Sequence, residues 1–482
     1  MVRVRPLLVM GLFCALIGTT VPIRSIAQAE NTPAKRATTA AAQLSVVSQD
    51  PYTEATTFHR TEVEPDTFAF GSTIVSAFQA GRGPVRGASN LGWAVSTDEG
   101  STWTGGFLPG TTMQATPPGP WRRATDPSIT YDAMHDTWLI FGLESPRHHS
   151  VFVSRSTDGA QTFDEPIIVD ASDAVNFDKT WIGCDNTPSS PFYGHCYAEW
   201  DDEAHHLRLH LSTSTDGGLT WTKATVRHDT RVIDGHPLVQ PDGTVLVPIM
   251  QCCPTRIDAF ISRDGGQSFS GHGTDYSGPL AIRNVRARKA RGNLRMNVEP
   301  PPLSADMDAL GKVYVTWPDC RFRRSGDRTC LQNDIVMSTT TDGRHWSPVV
   351  RVPIDARTSS ADHFLPAVGI DPTTSSHSAH IAIPYYFYPH ARCNRATCAL
   401  SVGLVSSLDG GSTWDVQQLA GPMKTTWLPL TDSGYMVGDY VGVSFVRGSA
   451  IAVFAVATEG TCELGDSTSC NVWTASATIP LG

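Results

Sequence analysis

The chain returns six times to one short motif, and a repeated unit restricts the architectures open to a chain more than any local pattern does. The motif reads Ser-x-Asp-x-Gly-x-Thr-Trp and stands intact at Ser96–Trp103, Ser214–Trp221 and Ser407–Trp414. Relaxed copies occupy Ser156–Phe163 and Ser262–Phe269, and a shortened one runs over Thr340–Trp346. These residue types describe a tight hairpin turn: the aspartate caps backbone amides, the glycine supplies positive φ, and the aromatic residue opens the next strand under the turn. The motif fixes where hairpins lie and carries no chemistry of its own.

Two further pieces recur ahead of the copies. An acidic residue or histidine, often before proline, opens a short apolar strand: Glu64-Pro65, Asp126-Pro127, Asp178-Lys179, His236-Pro237, Glu299-Pro300 and, more loosely, His363 before Phe364-Leu365-Pro366. A strongly apolar strand follows, as at Thr73–Phe78, Thr137–Leu143, Thr244–Met250, Lys312–Trp317 and Ala379–Tyr386. Alternating β-branched and aromatic residues between Gly, Asp and Pro turns predict an all-β fold with no long helix. The sequence resembles the sialidase-like, Asp-box β-propeller superfamily over nearly all of residues 51–482, which implies four-stranded antiparallel blades. Copies starting at residues 96, 156, 214, 262, 340 and 407 lie about 62 residues apart, so this stretch holds seven repeats. The sialidases that the chain resembles have six blades, which stands as the alternative. The seventh repeat, from Gly438 to Ala477, has no box and no fourth strand, and residues Thr56–Thr61 are expected to supply that strand and close the ring.

The N-terminus combines Arg3 and Arg5, an apolar stretch from Leu7 to Ile17, and Ala27-Gln28-Ala29, the layout of an export signal over residues 1–29. Residues 30–50 are small and polar and read as a linker, leaving 51–482 as the propeller. No later segment approaches the ~18 uninterrupted apolar residues of a spanning helix. The formal charge of −10 argues against nucleic acid as a partner. Beyond Cys14, ten cysteines fall into near neighbours: Cys184 with Cys196, Cys252 with Cys253, Cys320 with Cys330, Cys393 with Cys398 and Cys462 with Cys470. In an oxidising compartment this pattern favours local disulfides over a zinc site, whose paired C-x-x-C spacing is missing. A secreted monomer with no cofactor or metal is expected.

The propeller plan gathers Glu64, Asp126, Asp178, His236, Glu299, His363 and Asp439 at one mouth, where ligands bind in such folds. Carboxylates crowded around a narrow axis push one another's pKa values apart, leaving one protonated and one ionised, as glycoside hydrolysis requires. The expected catalytic set is Glu64, Asp126, Glu299 and Asp439, with Tyr440 added because the sialidases use a tyrosine nucleophile. Their arginine-bearing F/Y-R-I-P motif is not in this chain. Loops at the same mouth offer Arg82, Asp319 and Arg321 as substrate contacts; Arg321 suits a sugar carboxylate but equally suits a salt bridge to Asp319. An adjacent Cys252-Cys253 bridge would be a flat plate on which a sugar could stack. A basic insertion, Arg283 to Arg295, favours an anionic polymer if it folds over the mouth. The expected ligand is therefore a glycan. A hydrolase leads, with a non-catalytic glycan- or protein-binding propeller and a polysaccharide lyase using His236 or His363 with a tyrosine as alternatives.

Overall fold

A computed structural model describes residues 35–36, 43–227, 231–251, 255–271, 282–283, 285, 290–295, 301–323, 330–466 and 469–481. The export-signal stretch, Glu299, Cys252, Cys253 and most of the basic insertion lie outside the described residues. Among the described residues the only helical turns are the 3-10 segments Glu203–His205, Ser376–Ser378 and Thr425–Trp427; the rest is strand and turn.

The strands are antiparallel meanders that follow one another along the chain. Glu62–Phe70, Thr73–Arg82, Ala88–Ser96 and Thr104–Phe107 form the first unit. Arg123–Asp132, Thr137–Ser145, Ser150–Ser156 and Ile167–Ala171 form the second, joined to the first by a lone Ala88–Ala124 pairing. Phe177–Cys184, Cys196–Asp202, Arg208–Ser214 and Thr222–Lys223 form the third. In the fourth, Val232–Ile233 and Leu238–Val239 both pair with Val245–Gln251, followed by Arg256–Ser262 and Ser268–Ser270. Ser304–Met307, Val313–Asp319, Asp334–Thr340 and Val350–Arg351 make the fifth. The sixth has Asp362–Phe364 and Gly369–Ile370 on Ile381–Tyr388, then Ala399–Ser407 and Asp415–Lys424.

The last unit is completed from the other end of the chain. Gly442–Val446, Ser449–Ala457 and Val472–Pro480 run in order, and Leu44–Val46 adds the fourth strand through Leu44–Ala477 and Val46–Ala475 pairings. Residues 56–61 do not supply this strand, since Thr61 makes a single bridge to Val472. The closing strand thus comes from the stretch read as linker, because it needs only three residues with one apolar side against the edge of Val472–Pro480, too short a pattern to stand out.

Successive units pack face to face through apolar side chains. Trp93 and Leu91 meet Ile129 and Trp138 between the first two units, and Leu139 and Phe141 meet Ala198 and Trp200 between the next two. Ile74 and Phe78 of the first unit share a cluster with Ile451 and Val453 of the last, and Val47 from the N-terminal segment fills it. These seams carry the hydrophobic stabilisation and hold the inner strands side by side, so polar residues at their starts converge.

The six boxes fold as their chemistry requires. At the first, Asp98 accepts from the Thr102 amide at 2.9 Å and hydroxyl at 2.6 Å, Ser96 Oγ donates to Asp98 at 2.8 Å, and Trp103 Nε1 donates to the Gly100 carbonyl at 3.1 Å. The same pattern recurs at Asp158, Asp216, Asp264 and Asp409, and Asp342 makes a shorter version with His345. Four of the expected disulfides are present, Cys184–Cys196, Cys320–Cys330, Cys393–Cys398 and Cys462–Cys470.

Candidate functional site

Three inner strands carry the same local irregularity. The pairing register slips between Val63 and Asp66, between Thr125 and Ser128, and between Asp178 and Trp181. At each slip one residue takes the left-handed conformation: Glu64 (φ 54), Asp126 (φ 51) and Lys179 (φ 51). Pro65 and Pro127 help to impose it, because the residue before proline is disfavoured in the right-handed helical region. A bulge re-aims its side chain, and strain at a non-glycine residue persists only where the surroundings over-determine it. The structure therefore puts Lys179, not Asp178, in register with Glu64 and Asp126. In the sixth unit the equivalent residue before proline is Leu365 (φ 48), not His363.

These side chains meet Asp439 from the last unit. Its Oδ2 lies 2.7 Å from Lys179 Nζ and 2.9 Å from Arg295 Nη2. Its amide donates to Glu64 Oε1 at 3.0 Å, while Gln79 donates to the other Glu64 oxygen. Gly438 (φ 129) makes the approach possible: a Cβ there would sit 2.7 Å from the Glu64 amide and Cγ. Asp126 accepts from Thr125 Oγ1 at 2.8 Å and from the Lys179 amide at 3.2 Å.

Burial and charge drive these acids apart. Desolvation, with Asp439 and Asp126 nearby, pushes Glu64 up to about 7. Burial also acts to raise Asp439 and Asp126, but Arg295 and Lys179 outweigh it at Asp439, and Lys179 with the Thr125 hydroxyl outweighs it at Asp126, so both stay below the ordinary carboxylate range. Lys179, despite burial, is held charged by Asp439, Asp234, Asp178 and Asp126.

Beside this cluster lies a small cavity, about 20 Å³, lined by Lys179, Thr180, Trp181, Asp234, Gly235, His236, Pro302, Leu303, Asp439 and Tyr440. His236 stacks on Trp181 with ring centroids 4.1 Å apart, and Tyr440 meets the Trp181 edge at 5.4 Å. Asp234 is pushed up to about 6 by desolvation, against the pull of Lys179. Burial takes His236 down to about 3, so its imidazole is neutral. Burial and the surrounding carboxylates drive the Tyr440 phenol far above its ordinary value, and its hydroxyl donates to the Pro127 carbonyl at 2.9 Å.

Of the residues singled out from the sequence, Glu64, Asp126, Asp439, Tyr440, His236 and Asp178 come together here. Arg82 lies beside the Glu64, Asp126 and Asp439 cluster but outside the cavity lining. It is 2% exposed and binds Met436 Sδ and the Gly87 and Val85 carbonyls, because the loop after its strand folds back over it. Arg321 and Asp319 bind each other at 2.7 Å, the local salt bridge. His363 is buried between Tyr385 and Phe387 and faces Asp355 at 3.6 Å. Its ring with Asp355 and Asp334 offers ligand atoms within 4.8 Å of one another, the geometry of a cation site. Arg323 and Arg351, each 2.8 Å from Asp334, already neutralise that acid. Sequence reasoning missed Asp234, Lys179, Trp181 and Arg295 as site residues. Lys179 was readable only through the register slip, and Arg295 only once residues 293–295 are seen to run beside Gly434-Tyr435.

No model of a known protein family and no curated protein matches the chain. Similar solved structures include a protein of unknown function from Dyadobacter fermentans DSM 18053, at 15% identity and TM-score 0.46, covering 77% of this chain and 99% of that one. The endosialidase of phage phi92 is similar at 11% identity and TM-score 0.46, covering 92% of this chain and 69% of its own. An ulvan lyase bound to a glucuronate–sulfated rhamnose ligand is similar at 11% identity and TM-score 0.45, covering 89% and 95%.

Proposed function

We propose that the protein is an exported carbohydrate-active enzyme, a glycoside hydrolase built as a seven-bladed propeller whose ring is closed by Leu44–Val46. The succession of four-stranded units, with an apolar seam between last and first, supports the blade count. Four disulfides fit an oxidising compartment.

One observation carries the catalytic reading: Asp234 and Asp439 line the same cavity with opposite protonation tendencies. Asp234 serves as the general acid that protonates the leaving oxygen, and ionised Asp439 stabilises the developing positive charge on the sugar or directs water to it. Trp181, His236 and Tyr440 offer apolar faces to a sugar ring, and Lys179 with Arg295 keeps Asp439 ionised. Glu64 and Asp126 hold the axis: Glu64 positions Asp439 through its amide, and Asp126 does the same for Lys179. Tyr440, with its raised phenol pKa and its bond to Pro127, positions rather than attacks.

The test is hydrolysis of reporter glycosides and of acidic and neutral polysaccharides by the wild-type protein and by Asp234→Asn. The substitution should lower kcat by about 10²–10⁴-fold, with thermal unfolding little changed; equal rates in both proteins would remove Asp234 from the mechanism.

A lyase is favoured by a different feature of the same cavity, the meeting of neutral His236 and Tyr440 beside cationic Lys179. A lyase needs a base for the α proton and a cation for the uronate carboxylate. Ultraviolet absorbance of an unsaturated product from uronate polymers would decide for it, and saturable glycan binding without turnover of any substrate would decide for a binding module.

A further inference from the structure

Behind the cavity lies a row of buried acids with no cation of its own. Glu199 and Asp201 alternate on Cys196–Asp202 and so share a face, and both are 0% exposed. Neither carboxyl has a side-chain hydrogen-bond partner, the Gly235 amide being the group that lies against Glu199, and Asp234 Oδ2 on the cavity wall lacks a partner. Across the strand pair Asp201 stands directly opposite Asp178, and Glu199 opposite Trp181 of the cavity. Gly235 packs so closely on Glu199 that a Cβ there would lie 2.6 Å from Oε1. The row therefore ends against the backbone that carries Asp234.

Like charges opposite each other in a sheet repel, and an unpaired buried carboxylate is too costly to keep ionised. The nearest cation, Lys179 Nζ, is already 2.7 Å from Asp439. The other charged groups facing the row are acids: Asp126 and Glu203 beside Asp178, and Asp234 beside Glu199 and Asp201. Carboxyls in this setting stay neutral by retaining their protons.

We propose that Asp178, Asp201 and Glu199 form a row of protonated carboxyls that acts on the reaction through Asp234, with Glu199 and Asp201 as positioning residues. The catalytic part rests on the hydrolase reading above; the retained protons do not. A neutral row lets Asp234 keep its own proton, because no fixed cation replaces it on that side. Replacing Glu199 by glutamine supplies an amide donor that favours ionised Asp234.

The free protein is examined first, by infrared spectroscopy at neutral pH in H2O and D2O. A protonated-carboxyl band is expected that weakens in Glu199→Gln and in Asp201→Asn; no such band in the wild type, or one unchanged in both variants, overturns the row. Added Ca2+ or Mn2+ should leave the thermal midpoint where it is, and a rise seen in the wild type but lost in the variants would make the row a cation site instead. On a hydrolysed substrate, the alkaline limb of the kcat profile should move about one unit to lower pH in Glu199→Gln. An unshifted limb with the band intact would leave the row structural and end the positioning claim. Absence of turnover in the wild type would count against the hydrolase reading and with it the catalytic role, and the infrared result would still judge the row.

Discussion

Lys179 shows how much one side chain does at the centre of this molecule. It is almost fully buried, yet it is a cation that keeps Asp439 and Asp126 below the ordinary carboxylate range. Removing one partner of a buried ion pair leaves an uncompensated charge, which is more damaging than losing the attraction itself. Arg295 still pairs with Asp439, so Lys179→Met should destabilise by about 3 kcal/mol, at the low end for such breaks. Urea unfolding would measure it, and a loss below about 1 kcal/mol would show that water reaches the cluster. The sequence displayed Lys179 next to Asp178 but gave no sign which of the two turns inward. That choice rests on a one-residue slip in pairing, which reverses the face on which every later side chain stands.

The hairpin box is the element from which the fold is built, and its stability comes from a carboxylate surrounded by donors. Asp216 accepts from the Leu219 and Thr220 amides at 3.0 and 2.9 Å and from the Thr220 and Ser214 hydroxyls at 2.6 and 2.9 Å. The motif glycine, Gly218 (φ 81), lies against the neighbouring unit, where a Cβ would meet Leu139 at 2.8 Å. The turn is thus both a hairpin and a clasp between units. Asp216→Ala should cost about 1–2 kcal/mol, since the site is partly solvated and the donors recover water. The cavity lies elsewhere, so glycan turnover should survive the substitution at temperatures below unfolding. A variant as stable as the wild type would mean that the strands alone set the turn. This element was legible in full from the sequence, because every interaction that defines it lies within eight consecutive residues.

At the scale of the whole molecule, two outcomes follow from how the first and last strands are held. Deleting the residues up to Val47 removes the fourth strand of the last unit and one side chain of the seam between last and first. It leaves the Val472–Pro480 edge unpaired, so a fall in Tm of more than ~5 °C and self-association in sedimentation are expected. Unchanged Tm would show that the remaining three strands hold the last unit together alone. The second outcome is a pH dependence. Buried Asp50, Glu64, Asp66 and Asp306 are pushed up to about 7 and Glu62 to about 8, chiefly by desolvation. The folded state then holds protons that the unfolded chain releases near pH ~4, so this stability is complete at acid pH and is lost as pH rises through 7 to 8. Burial lowers His148, His210 and His363 to about 4 and His236 to about 3, which acts in the opposite sense, but only as pH falls below ~6.5. Tm should therefore climb as pH is lowered from about 8 to about 6.5, and a flat or falling profile over that interval would mean that these acids are ionised in the fold.

The residues alone determined the strand-and-turn units, their order, the near-neighbour disulfides and the convergence of Glu64, Asp126 and Asp439, because each follows from short-range chemistry repeated along the chain. Only the tertiary structure decided that three residues of an apparent linker complete the last sheet, that Arg82 is held by Met436, and that Asp234 and Lys179 share a cavity with Asp439. Those outcomes turn on register and on which loop covers which neighbour. Both are settled by contacts between residues hundreds of positions apart, to which no single stretch of sequence is a guide.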